Sequence, residues 1–165
     1  MTQTKAKVPL SESHPEIAAQ WHPTKNGSRT PDLVVAGSNK KAWWKCLKGP
    51  DHEWQASIGG RTTGKGCPYC RGLKVSLTNS FASLCTALVA QWHPTKNGSL
   101  TPDQIVAGSG KKYWWKCPKG EDHEWEVRVT DRTSGSGCPY CAGRLASITN
   151  SLASLHPDVA VEWHP

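Results

Sequence analysis

Two sets of sulfur and imidazole donors stand at identical spacing in this chain. The first is Cys46, His52, Cys67 and Cys70; the second is Cys117, His123, Cys138 and Cys141. Each donor lies 71 residues from its counterpart. Three thiolates and one imidazole complete a tetrahedral Zn²⁺ shell, and a closed shell leaves no position for substrate or activated water. The pattern therefore predicts two structural zinc ions per chain. A redox reading of Cys67-Pro68-Tyr69-Cys70 would want a helix start near a βαβ pattern, and the sequence has none. Of the seven cysteines only Cys85 is left over; its counterpart one repeat on is His156, so it reads as a buried or idle thiol.

Holding four donors around one ion takes two tight turns and a frame between them. Segments 41–46 and 52–58 alternate as strands joined through the first turn, Lys48-Gly49-Pro50-Asp51. Alternation puts Ala42, Trp44 and Cys46 on one face with His52, Trp54, Ala56 and Ile58, the metal and core face. Lys41, Trp43 and Lys45 fall on the other face, opposite Glu53, Gln55 and Ser57. A polar loop at 62–66 then delivers Cys67 and Cys70, with Gly66 permitting close backbone approach. A short helical turn is expected after the second knuckle. Asn79-Ser80 reads as a helix cap. Pro15 to Trp21 reads as a helix with proline at its first position and Ile17 and Trp21 on one face. His156 to Trp163 reads the same way.

The donors belong to an internal repeat, which governs any fold assignment. Residues 16–86 align with 87–157 with about 45 identities over 71 positions. The modules are placed at 8–78 and 79–149, and 150–165 is a partial third copy. That tail is expected either to cap the second module, as end units of arrays do, or to mark a chain cut from a longer array. Only 36% of residues are hydrophobic, with one Phe and nine Trp, and all nine Trp fall on the repeat. A unit this small and poor in aliphatic residues is short of core, and metal binding supplies the missing folding energy. The expected fold class is small α+β zinc-stabilised modules, with a core of tryptophan and metal.

The run Trp43-Trp44-Lys45-Cys46, His52-Glu53-Trp54, Arg61 and Gly66-Cys67-Pro68-Tyr69-Cys70, followed by Asn79-Ser80 and Trp92-His93-Pro94, resembles the tandem treble-clef "probable zinc-ribbon" repeats of bacterial and viral proteins. The resemblance runs from Leu10 onward. It implies tandem treble-clef zinc fingers, each a β-hairpin with a zinc knuckle and a second knuckle opening a helix; the modules are expected to be joined by short helical linkers. It implies the eight donors above as ligands. Some relatives carry a nuclease domain, which this sequence lacks.

The formal charge is +7, and a basic balance favours a polyanionic partner. Six basic positions recur in both modules: Lys25/Lys96, Lys40/Lys111, Lys41/Lys112, Lys45/Lys116, Lys48/Lys119 and Arg61/Arg132. Lys40, Lys41, Lys45 and Arg61, with Lys111, Lys112, Lys116 and Arg132, are the candidate phosphate contacts. Glu53 opposite Lys45, and Asp51 near Lys48, would neutralise part of such a patch. Trp43 and Trp114 admit two readings, a base-stacking platform between lysines or a ring covered by the helix that carries Trp21; the high average burial of Trp favours the second. His22, His93 and His164 repeat in Trp-His-Pro without cysteine or carboxylate at ligand spacing, so a turn-stabilising hydrogen bond is expected. The leading expectation is a non-catalytic accessory or targeting unit that binds nucleic acid, DNA foremost, mainly through phosphates. The alternative is a protein–protein interaction scaffold. A metal-dependent nuclease ranks last: Asp32 precedes Lys40, but Ser38 and Asn39 stand where a second acid is needed. The first nine residues have no apolar run and read as no signal peptide, and no stretch reaches a membrane span. Free thiols then suggest a reducing compartment, the cytoplasm, with nucleoid association if DNA is bound.

Overall fold

The computed structural model describes residues 8–163. It divides into two compact units, with the boundary between Leu77 and Thr78. In the first, two four-residue helices, α1 (Leu10–Ser13) and α2 (Pro15–Ala18), precede a hairpin of β1 (Lys41–Lys45) and β2 (Glu53–Ser57), and α3 (Ile58–Thr62) follows it. The second unit repeats this order as α4 (Phe81–Leu84), α5 (Thr86–Val89), β3 (Lys112–Lys116), β4 (Glu124–Arg128) and α6 (Val129–Thr133). It then continues into α7 (Leu152–Leu155) and α8 (Pro157–Ala160). Among the described residues no helix is long and apolar enough to cross a membrane.

The hairpin register is the one alternation predicts. Lys41 pairs with Ser57, Trp43 with Gln55 and Lys45 with Glu53, and Lys112, Trp114 and Lys116 pair with Arg128, Glu126 and Glu124. Trp44 and Trp115 are fully buried at the centre of each core. Burying one Trp removes 150–250 Å² from water, about 4–6 kcal/mol of transfer free energy at 25 cal/mol/Å². The other side of β1 is also paired. Gln20 O accepts from Lys45 N at 2.8 Å, and His22 N donates to Trp43 O at 3.0 Å. This places Trp21 edge-on against Trp44, ring centroids 5.3 Å apart at 82°.

Three expectations are corrected. The helices before each hairpin are not linkers. Leu10 and Phe81 are fully buried in the cores of their own modules, tied in by Leu10 N→Val34 O and Phe81 N→Ile105 O. Residues 58–62 form α3 where the pattern suggested strand running into loop; Ser57 caps it by accepting from Gly60 N at 3.2 Å. After the second knuckle the expected short helical turn is present as a single turn, Arg71 N→Cys67 O and Gly72 N→Tyr69 O, and it does not extend into the helix that the resemblance implies. Gly72 has φ +67°, a conformation that stops helix growth and favours glycine. Ser80 does cap α4, accepting from Ser83 N at 3.1 Å. The pair α7–α8 leaves Leu152, Leu155, Val159, Val161 and Trp163 exposed.

Candidate metal centre

In each module the hairpin turn delivers two donors and the Cys-Pro-Tyr-Cys turn two more. Cys46 follows β1 and His52 precedes β2, joined by Cys46 N→His52 O at 3.0 Å. Cys67 and Cys70 close the set, and the four ligand atoms all lie within 4.8 Å of one another. Their spacing fits zinc. Zn–S of about 2.3 Å and Zn–N of about 2.0–2.1 Å set tetrahedral edges of about 3.8 Å for S···S and about 3.6 Å for S···N. The structure has Cys46 Sγ to Cys70 Sγ at 3.7 Å, and His52 Nδ1 at 3.7 and 3.6 Å from the sulfurs of Cys67 and Cys70. The second centre gives 3.7 Å for Cys117–Cys141, and 3.7 and 3.6 Å from His123 Nδ1 to Cys138 and Cys141. The two Cys₃His sites fit two zinc ions.

Electrostatics give the same answer. Loss of hydration at the sulfur, and then the neighbouring thiols of Cys46 and Cys67, push the Cys70 thiol up to about 11. Three thiolates at this spacing need a cation to form at neutral pH, and zinc supplies it, releasing protons as it binds. The metal-facing nitrogen of both histidines is Nδ1. Nε2 is left to donate to Ser76 Oγ at 3.1 Å in the first module, and to Ser147 Oγ at 3.0 Å and Thr149 Oγ1 at 2.7 Å in the second. Such outer partners fix the ring and its tautomer. Tyr69 and Tyr140 stack on the imidazoles at 5.0 Å. Asp51 and Asp122 accept from Leu77 N and Ile148 N at 2.7 Å, tying the first knuckle to the strand of chain after the second.

The glycine that matters for close approach is not Gly66, where an added Cβ would meet only Arg71 at 3.7 Å. It is Gly49, where a Cβ would fall 2.6 Å from His52 Nε2, and Gly120, 2.6 Å from the ring of His123.

The candidate phosphate contacts separate into three groups. Arg61 and Arg132 are buried in the cores and do not face solvent. Each guanidinium stacks between two indoles, Arg61 at 5.3 Å from Trp44 and 5.2 Å from Trp54, Arg132 at 5.2 Å from Trp115 and 5.4 Å from Trp125. Arg61 donates to Lys65 O and to Gln20 Oε1, and Arg132 to Ser136 O and Gln91 Oε1. Lys45 and Lys116 are committed to the carboxylates of Glu53 and Glu124, 3.3 and 3.0 Å away. Lys25 and Lys96 reach the same carboxylates at 2.5 and 2.6 Å. Lys25 first, then His22, holds Glu53 down to about 2. Lys40, Lys41, Lys111 and Lys112 remain exposed.

His22 and His93 play the turn role that Trp-His-Pro suggested. Nδ1 accepts from the amides two and three residues on, at 3.1–3.3 Å, while Nε2 faces the glutamate at 3.2 Å. His164 lies outside the described residues. Trp43 and Trp114 are half-buried. Lys25 Nζ lies 4.8 Å over Trp43 and Lys96 Nζ 4.4 Å over Trp114. Asn26, which the sequence reading passed over, pins the Trp43 backbone at both ends, Oδ1 accepting from its N–H at 2.8 Å and Nδ2 donating to its C=O at 3.0 Å. Cys85 is half-buried against the second core, and burial pushes its thiol up.

No curated protein matches the chain. A family description, "Probable Treble clef zinc finger domain", matches residues 17–73 and again 88–144. Both matches span all four donors of their module, and together they cover more than half of the sequence. The chain belongs to that treble-clef zinc-finger family, as two tandem copies.

Proposed function

We propose that the tandem modules bind nucleic acid, DNA foremost, chiefly through its phosphates, as a non-catalytic accessory or targeting unit. The observation that carries this reading is the corner where each hairpin begins. Lys41 stands opposite Ser57, and Lys112 stands directly opposite Arg128. Like charges facing each other across a strand pair cost stability. Among the described residues no ion pair relieves Lys40, Lys41, Lys111, Lys112 or Arg128. A cationic corner kept in both copies, and in the second at that cost, suits phosphate contact.

No described helix exceeds five residues, so neither module offers a helix of the kind that reads bases in the major groove. Binding of limited sequence specificity follows. Both zinc shells are filled by protein donors, which supports a non-catalytic role. The thiolates must stay unoxidised, and a reducing setting such as the cytoplasm goes with this reading. The alternative, a protein-docking scaffold, draws on exposed apolar side chains such as Leu33 and Leu47. Ionic strength separates the two, because affinity for a polyanion falls steeply with salt.

The test is a titration of zinc-loaded protein with labelled duplex and single-stranded DNA, beside a Lys40→Glu/Lys41→Glu/Lys111→Glu/Lys112→Glu variant. Micromolar or tighter binding that weakens with salt and in the variant is expected. Absence of binding at low salt sinks the proposal.

A further inference from the structure

The two modules share a fold but not a charge. Residues 8–77 hold ten Lys and Arg against five Asp and Glu, a formal +5, and residues 78–163 hold eight against eight. A zinc ion with three thiolates subtracts one from each. The basic excess of the described chain therefore belongs to the first module.

Much of the difference converges on one place. A groove of about 300 Å³ runs between β2 and the second knuckle, with Ala56, Pro68 and Leu73 among its apolar lining and Lys65, Arg71 and Lys74 as its cations. No carboxylate lines it. The second module has the same groove beside β4, about 420 Å³, with the opposite balance. There Ser136, Ala142 and Leu145 occupy the positions of Lys65, Arg71 and Lys74. Glu126 and Asp131 enter the lining, and Arg144 is the one cation. The groove of the first module carries three positive charges, that of the second a net negative one.

Lys65, Arg71, Leu73 and Lys74 are all exposed. The groove is open, with long cationic side chains on its rim, Lys74 lying 6.0 Å over the Tyr69 ring, which suits a polyanion held by charge. Its apolar floor can take sugar and base faces, as single-strand binders do with less specificity than base-edge readers.

We propose that this groove is a second phosphate-binding path, present in the first module only, in which Lys65, Arg71 and Lys74 hold the nucleic-acid backbone while the matching groove of the second module excludes it. The proposal rests on the nucleic-acid reading above. It makes the modules unequal: both offer the hairpin corner, and the first adds the groove.

The experiment exchanges the grooves in the full zinc-loaded chain. One variant, Lys65→Ser/Arg71→Ala/Lys74→Leu, gives the first module the residues of the second. The other, Ser136→Lys/Ala142→Arg/Leu145→Lys, does the reverse with cations. Affinity for a labelled single-stranded DNA and for a duplex is measured at several salt concentrations, with zinc content and thermal melting as folding controls. The first variant is expected to weaken binding by on the order of tenfold or more at low salt. It should lower the slope of log affinity against log salt by about 2 to 3, since each lost phosphate contact removes about 0.7–0.9. The second is expected to strengthen binding and steepen the slope. If the native chain binds no DNA, the nucleic-acid reading fails and this site with it. If the native chain binds but the first variant keeps its affinity and slope within twofold, the groove assignment is overturned and the reading stands. A polyglutamate of matched charge that displaces the DNA from the groove with equal affinity would also overturn it, assigning the groove to acidic protein segments.

Discussion

Gly49 and Gly120 lie against the imidazole that binds metal, with room for a hydrogen and nothing larger. Gly49→Ala would drive a methyl to within 2.6 Å of His52 Nε2, so either the knuckle or the ring has to move. The expected outcome is a fall from two tightly held zinc ions to one, read by mass spectrometry under native conditions, with the second centre untouched. The hydroxyls on Nε2 act more gently. Replacing both Ser147 and Thr149 with Ala removes both acceptors of His123 Nε2 and is expected to weaken zinc binding by roughly 10–100-fold, measured by competition with a chelator. The ligands were legible in the sequence because metal chemistry allows few donor types and the repeat shows the spacing twice. Arg61 was not. Its role depends on Trp44 and Trp54, ten residues apart, meeting as the two walls of one slot. Only the folded hairpin builds that slot, so a lysine-like surface charge and a buried stacked guanidinium look alike in the sequence.

At the level of elements, the hairpins were readable and the helices less so. Period-two burial survives residue by residue in β1, which has one face toward the core and a more exposed one opposite. The helix α3 escaped because Ile58-Gly59-Gly60-Arg61-Thr62 contains two glycines, each costing about 1 kcal/mol against Ala in a helix. Tertiary burial of Ile58 and Arg61 outweighs that propensity. The second copy makes the point again, since α6 forms from Val-Thr-Asp-Arg-Thr with no side-chain cap. Trp44 is the centre of the first core, touching Trp21 and the Arg61 guanidinium and donating its indole N–H to Ala56 O at 3.0 Å. Trp44→Ala is expected to cost about 3–5 kcal/mol, which chemical denaturation followed by Trp fluorescence would detect. A loss under about 1 kcal/mol would mean that metal, and not this ring, organises the module.

For the whole molecule, the question is whether the two modules stand or fall together. Each has its own core cluster and its own four donors. Cys67→Ser is accordingly expected to unfold the first module and leave the second holding one zinc ion, seen as a halved metal content with half the native amide dispersion retained in NMR. Loss of both ions would show that the modules fold as one. The repeat made this organisation readable, and the charge imbalance between the copies was in the sequence as well. It stayed unread there because identities draw the eye to what two copies share, whereas the groove consists of positions at which they differ.

The burial of Leu10 and Phe81 has one more consequence. The family matches begin at residues 17 and 88, yet the polypeptide that packs each core begins with α1 at Leu10 and with α4 at Phe81. The matched segments thus begin about seven residues inside each folding unit, within the second helix of its pair. A fragment cut at 88–144 is expected to bind zinc weakly and expose Trp115, whereas 78–149 should melt cooperatively; calorimetry of the two would show it. In an array of such repeats, the start of each folding unit lies inside what an aligner would mark as the spacer before it.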